Sequence, residues 1–343
     1  MTRASMRRKH EPRRPPADGA KTSAMIASLE AEGYETVAAP FGHALVEAAR
    51  ADERIVGLSA DLSKYTDLHD FAQAMPDRFY QMGMAEQLLV SAAAGLAREG
   101  FLPFATTYAV FASRRAYDFV AMAVAEENLP VKLVCALPGL TTGYGPSHQA
   151  TEDLAIFRGL PNMTVIDPCD AADVAGMVPA MVAHDGPVYA RLLRGRVPDV
   201  LRQHKPDYRF DPNRAQLIRD GADVLVVSSG IMTMRALDAA RRLEADGIGV
   251  AVLHAPVIKP LDTATILAEA ARGGRLVVTA ENHTENGGLG EAVARALLLA
   301  GQAPRFRMIA LPDAFLEAGA LPTLHEMYGL SVERVAASIK GWL

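Results

Sequence analysis

The chain has 343 residues, half of them hydrophobic and 22% charged, and its 35 Lys and Arg against 40 Asp and Glu leave a net charge of −5. That length suffices for two ordinary domains with a core each, and the mild overall acidity gives no reason to expect nucleic acid or an anionic membrane as partner. Cys135 and Cys169 form neither a ligand cluster nor a CxxC pair, so a reducing cytoplasm and a small-molecule or protein partner are expected.

The N-terminal stretch MTRASMRRKHEPRRPPADGAKTSA mixes basic residues with prolines and lacks the apolar run of a signal peptide. Residues 1–24 read as a disordered basic tail, with a nucleic-acid-binding arm as the functional alternative. From 25 to 196, short β-branched runs alternate with alanine-rich segments, which predicts an α/β domain with a mainly parallel sheet. The expected strands are 54–60, 101–107, 131–137, 163–168 and 188–193, and the expected helices 86–99, 110–127 and 170–184, the last begun by Asp170. Residues 197–221 are polar, proline-bearing and without sustained period, the pattern of an interdomain linker. A second α/β unit fills 222–343, with strands at 223–229, 249–255, 275–281 and 306–312 and helices at 231–245, 263–272, 287–300 and 331–342. No run of about 18 uninterrupted apolar residues marks a membrane span.

Common catalytic motifs are silent. The chain has no GxxxxGK[ST], HExxH or GxSxG, and no His, Cys and Asp cluster at metal spacing. The glycines of GGLGEAVARA do not complete a GxGxxG after a strand and read as the cap of a helix packed closely on its sheet. What remains is a set of residues at the carboxyl ends of the first domain's strands, where open parallel sheets place their ligands: Asp61, Tyr108, Phe111, His148 and Arg194. Glu86 joins them in RFYQMGMAEQLLVSAAAGLAREG, where it opens a strongly apolar helix. Pattern alone leaves each of these open. Glu86 is either a helix-terminal charge or a buried functional carboxylate, His148 a loop histidine or a proton carrier, Asp61 a helix cap or a ligand contact. Arg194 reads as a strand-end ion pair or an anion receptor, and Tyr108 and Phe111 as core or pocket aromatics.

Order narrows the choice. GMAEQ, GFLPFATTYAVFASRRAYD, GPSHQATEDLAIFRGLPNMTVIDPCD and DGPVYARLLRG follow one another as in the pyrimidine-binding half of a transketolase. The second unit, with VIKPLD and ENHTENGGLGEAVA, resembles the C-terminal domain of the same superfamily, closest to deoxyxylulose-phosphate synthase and the 2-oxo acid dehydrogenase β subunits. The GDG motif of the superfamily's diphosphate-binding domain does not occur here, so the chain resembles the C-terminal subunit of a split transketolase.

This resemblance implies thiamine diphosphate as cofactor, with Mg2+ or Ca2+ held by a separate diphosphate-binding subunit, and an assembly that is a dimer of heterodimers. It implies transfer of a two-carbon ketol unit from a ketose or ketose phosphate to an aldehyde. A 2-oxo acid dehydrogenase E1 β subunit and a catalytically idle scaffold subunit are the alternatives. In the family, a glutamate at the position of Glu86 hydrogen-bonds N1′ of the cofactor's aminopyrimidine, a task favoured by a dry pocket. Tyr108 and Phe111 fall where aromatics surround that ring, and Asp61 matches an aspartate near the cofactor. His148 matches the HQ histidine beside the substrate oxygens, and Arg194 an arginine that pairs with a substrate phosphate. Tyr117 and Arg158 lie in segments shared with deoxyxylulose-phosphate synthase as further substrate contacts, or else are a helix-face aromatic and an arginine paired with Asp153. Three positions depart from the pattern: Leu137 stands for a phosphate-binding histidine, GYG at 143–145 for a longer acidic segment, and Arg114 for a third aromatic.

Overall fold

Fully buried β-branched runs set the framework of the first domain. In chain order it comprises β1 (Thr36–Ala38), α1 (Pro40–Ala51), β2 (Ile55–Ser59), α2 (His69–Ala74), β3 (Phe79–Gln81), α3 (Glu86–Arg98), β4 (Leu102–Tyr108), α4 (Ala109–Arg114), α5 (Tyr117–Phe119), β5 (Lys132–Ala136), α6 (Asp153–Arg158), β6 (Thr164–Ile166), α7 (Ala171–Ala183) and β7 (Val188–Leu192). The computed structural model describes residues 33–343, so the basic tail expected at 1–24 lies outside the described residues. Strands β2, β4, β5 and β7 are buried at every position. Helices cover both faces of such a parallel sheet, which is why these strands read as mainly apolar runs rather than as alternation, with Lys132 and Arg191 as buried charged exceptions. Their order is β3-β2-β4-β5-β7-β6, all parallel.

The chain continues through β8 (Arg196–Pro198), α8 (Leu201–His204), β9 (Gln216–Arg219), β10 (Val224–Ser228), α9 (Ile231–Glu244), β11 (Val250–His254), β12 (Val257–Lys259), α10 (Thr263–Ala270), β13 (Leu276–Thr284), α11 (Leu289–Leu299), β14 (Phe306–Leu311), α12 (Leu321–Met327) and α13 (Val332–Trp342). A second sheet runs β14-β13-β10-β11-β9, parallel except for β9 at its edge. Three helix starts follow capping chemistry: Asp170 accepts the amide of Asp173 ahead of α7, Asp262 that of Thr265 ahead of α10, and Ser331 that of Arg334 ahead of α13.

Two segments differ from the sequence reading. The stretch 197–221, expected as a linker, is built into the fold: β8 pairs with β1, β9 closes the second sheet, and Val197, Leu201 and Tyr208 are buried. Its polarity hid this because its partners lie far away in sequence, as when the Tyr208 hydroxyl donates to Asp173 of α7. The helix expected over 110–127 is instead α4, α5 and a π-helical turn, Val120–Ala125. Arg115 and Ala116 form the break between α4 and α5, beside the candidate site.

The two units are welded rather than tethered. Strand β12, from the second unit's sequence, pairs antiparallel with β6 and becomes the seventh strand of the first sheet. Beneath it, buried Arg191 of β7 pairs with Asp153 at 2.5 Å and Asp167 at 3.4 Å and donates to the Asn282 carbonyl at 3.2 Å, while Ser229 donates to Asp167 at 2.7 Å. His254 of β11 pairs with Asp173 of α7 at 2.7 Å. Charges this deep persist only when paired and hydrogen-bonded, so losing one partner leaves the other stranded.

Candidate active site

All the candidate residues except Glu86, Tyr117 and Arg158 follow the carboxyl ends of parallel strands: Asp61 after β2, Tyr108 and Phe111 around the end of β4, His148 in the loop after β5, and Arg194 after β7. The structure gathers Tyr108, Phe111 and His148 into one aromatic cluster. Ring centroids are 5.7 Å apart for Tyr108 and Phe111, 5.5 Å for Phe111 and His148, and 6.3 Å for Tyr108 and His148. Tyr144, at the centre of GYG, adds a fourth ring 5.4 Å from His148. Such tilted and edge-on pairs fix ring orientation as well as burying area. His148 Nδ1 is 3.0 Å from the Ser147 hydroxyl.

Glu86 opens α3 as expected, yet its side chain is only 3% exposed. Its carboxylate meets Arg115, whose Nη1 lies 3.1 and 3.3 Å from the two oxygens, and the same guanidinium sits 4.1 Å over the Phe111 ring. Phe111 thus touches Glu86's partner on one side and His148 on the other. Arg194 lies 5.6 Å from the Tyr65 ring, and its Nε has no hydrogen-bond partner although buried. Burial pushes the Tyr108 hydroxyl up in pKa, against the opposing pull of the Arg194 charge. Burial likewise raises Asp67, which accepts the Gly195 amide at 2.8 Å beside Arg194.

Three expected site residues are placed apart. Asp61 is exposed in the left-handed region (φ 61°), its amide donating to Gln81 at 2.7 Å, and the short turn that follows is headed by Leu62, so Asp61 caps no helix. Tyr117 is exposed on α5 and makes no ring contact or hydrogen bond with the cluster among the described residues. Arg158 is not paired with Asp153. It donates to the carbonyls of Gly287 and Gly288, bracing the turn before α11, and burial lowers its pKa.

Sequence reasoning missed the residues that hold the His148 loop. Arg114 does not line the ring cluster: it binds Glu152 at 2.5 Å and the carbonyls of Pro146 and Gln149 at 2.7 and 3.2 Å. From the second unit, Asn282 accepts the Leu140 amide at 2.9 Å, His325 donates to the Leu140 carbonyl at 2.7 Å, and the Gly319 amide donates to the Gly143 carbonyl at 2.9 Å. Gln149 returns the grip by donating to the Glu317 carbonyl at 3.1 Å. Gly139 is forced, because its φ is +57° and a Cβ there would lie 2.2 Å from the Asn282 carbonyl oxygen. Leu137, which stands where the family has a phosphate-binding histidine, is buried and also left-handed (φ 57°), a strained setting for a leucine.

The GGLGEAVARA glycines behave as read. Gly288 starts α11, and a Cβ on it would lie 1.9 Å from a Glu281 oxygen, while Glu281 accepts the amides of Leu289 and Gly290 at 2.6 and 2.7 Å. Burial raises Glu281 to about 7, opposed by those amides, and lowers neighbouring His283 to about 4.

The family profile of the transketolase pyrimidine-binding domain matches residues 35–199, and that of the transketolase C-terminal domain matches residues 213–335. The chain belongs to the transketolase family. It is 67% identical to the transketolase family protein y4mN of Sinorhizobium fredii over 94% of this chain and 93% of that protein. Similarity extends to the 6-deoxy-6-sulfo-D-fructose transketolase subunit SqwH of a Clostridium species, 40% identical over 85% of this chain and 89% of that one. A solved structure of a split-gene transketolase, described as an inactive β4 tetramer, superposes with a TM-score of 0.80 at 43% identity, covering 90% of this chain and 98% of the other.

Transketolases use thiamine diphosphate, and the residues present suit its aminopyrimidine half. A buried carboxylate that already holds one flat N–H donor, next to an aromatic face, has the chemistry that an N–H-bearing heteroaromatic ring requires. Glu86, Phe111 and Tyr108 are the residues that would hold it. Among the described residues no group of three or more His, Cys, Asp or Glu is placed to hold a metal ion, and no helix is long and apolar enough to cross a membrane.

Proposed function

We propose that this chain is the pyrimidine-binding subunit of a split transketolase that moves a two-carbon ketol unit from a ketose donor to an aldehyde acceptor. The supporting observation is the shared Phe111 ring: a buried carboxylate, Glu86, is linked to it through Arg115, Tyr108 and His148 pack against it, and Tyr144 packs on His148. Thiamine diphosphate, when bound, supplies the nucleophilic carbon that accepts and releases the ketol unit. Glu86 holds a proton at the ring nitrogen N1′, where a shared proton in a dry pocket favours the reactive tautomer. His148 hydrogen-bonds or moves a proton at a substrate oxygen. The aromatic walls exclude water, and Arg194, with a buried Nε still unbonded, receives the substrate's anionic end. Tyr117 and Arg158 have no part in this reading, since one faces solvent and the other is spent on Gly287 and Gly288.

The diphosphate and its Mg2+ or Ca2+ belong to a second chain carrying the diphosphate-binding domain, and the working particle is a cytoplasmic dimer of heterodimers. One relative is named for a sulfonated sugar, and a single guanidinium serves a sulfonate or a phosphate, so both enter the substrate screen. Co-expression with the diphosphate-binding chain, addition of thiamine diphosphate and Mg2+, and identification of ketose-derived products by mass tests the proposal. Ketol transfer only when both chains are present is the expected result, and ordinary turnover by the single chain rejects it.

A further inference from the structure

Arg115 has no part in the reaction just proposed, yet it covers both surfaces that the aminopyrimidine needs. One guanidinium nitrogen reaches both oxygens of Glu86, and the guanidinium plane lies over the Phe111 ring. Glu86 is 3% exposed in its side chain and Arg115 is 51% exposed, so the carboxylate is sealed while the arginine has water on its outer side. A guanidinium is planar, carries delocalised positive charge and donates N–H bonds in its own plane. A protonated aminopyrimidine has those same three properties. The two groups compete for one acceptor and one aromatic face.

We infer that Arg115 is an internal stand-in for the aminopyrimidine: it neutralises Glu86 and caps Phe111 while the cofactor is away, and it leaves both when the ring docks. This rests on the reading of Glu86 as the carboxylate that receives the ring. The physical need is clear, because a buried carboxylate without a counter-charge or donor is strongly unfavourable. The departure is easy by comparison, since the guanidinium is already half in water, where an ion pair contributes little. Its backbone stays put: the Arg115 amide is tied to the Phe111 carbonyl at 3.0 Å, so the exchange needs only a side-chain swing at the break between α4 and α5. Neighbouring Arg114 cannot take its place, being held by Glu152, Pro146 and Gln149. While Arg115 stays, the binding-competent fraction is reduced and the apparent affinity falls with it.

The test compares the wild-type complex with Arg115→Met, which keeps an apolar stem against Phe111, both reconstituted with the diphosphate-binding chain. Melting temperature is recorded with and without saturating thiamine diphosphate, and cofactor affinity by calorimetry. The expected variant melts lower than wild type without cofactor, matches it with cofactor, and binds thiamine diphosphate roughly tenfold more tightly. A melting deficit that persists in saturating cofactor, or binding that is unchanged or weaker, overturns the stand-in role; Arg115→Gln serves if the Met variant fails to assemble. Glu86→Gln in the same calorimetry separates the two ideas. Unaltered cofactor affinity in that variant removes the reading of Glu86 and the stand-in with it, whereas weakened affinity there, without tightening in Arg115→Met, removes the stand-in alone.

Discussion

Asn282 of β13 accepts the Leu140 amide at 2.9 Å, and its own carbonyl receives Arg191 at 3.2 Å. One residue of the second unit therefore couples the buried ionic network to the loop that presents Tyr144 and His148.

Asn282→Ala removes the Leu140 acceptor but keeps the backbone link to Arg191. A loss of about 1–3 kcal/mol in unfolding free energy is expected, the range for stranding one buried donor. Turnover should fall roughly tenfold as His148 loses its register. Urea denaturation and kcat measured on one preparation check both, and full activity despite the lost stability would show that His148 is positioned without this bond.

Glu86→Gln keeps size and shape but cannot share a proton with the ring nitrogen. Activity of the reconstituted complex should drop roughly 10²- to 10⁴-fold, the usual scale of general acid–base contributions. Exchange of the C2 proton of bound cofactor, followed by NMR, should slow in parallel. Unchanged exchange would mean that this carboxylate has another task.

Arg194→Ala should raise KM for an anionic donor or acceptor, relative to a neutral analogue, by the equivalent of about 1.5–3 kcal/mol, as expected for one charge-assisted bond. Steady-state kinetics on matched charged and uncharged substrates decide it. Equal losses on both would assign Arg194 to the support of Tyr65 and Tyr108 instead.

Glu281 predicts a pH signature. Its folded value of about 7 lies above its ordinary 4.5, with burial the main cause. Between those values the folded chain holds a proton that the unfolded chain has released, so this group's stabilising contribution is complete below about pH 4.5 and disappears as pH rises through about 7. Glu281→Gln, which cannot ionise, should gain on wild type between pH 5 and pH 8 by an amount on the order of 2–3 kcal/mol. Chemical denaturation at the two pH values measures the gap. Asp170, raised to about 6 chiefly by burial, titrates in both proteins and cancels in the difference.

How far the sequence could be read follows from where the partners lie. Strands β4 and β5 were legible because two-sided burial makes them mostly apolar, with Thr106, Thr107 and Lys132 buried as well, whereas β3 and β12 have three residues each and acquire meaning only from a neighbour far along the chain. Glu86 and His148 could be found because short motifs surround them. Arg115 could not, since it looks like one more exposed cation beside Arg114; its i+4 spacing from Phe111 was the one local hint. Arg191 carried a clearer signal that went unused, because a charged residue in the middle of VYARLL requires buried partners. The bracing of the loop by Gln149, Glu317, Gly319 and His325 spans both units and leaves no sequence periodicity to detect.

The pairing of β12 with β6 has a practical corollary for dissection of this protein. Removing everything after residue 221 would bare the edge of β6 and unseat Asp167 from Ser229, so a fragment ending there should be sticky and poorly soluble. A single protease nick in the exposed stretch around Asp211 to Arg214 is a different matter, because strand pairing and buried charge would keep the two pieces together. Such a clipped chain should travel through a sizing column as one body and come apart only in denaturant.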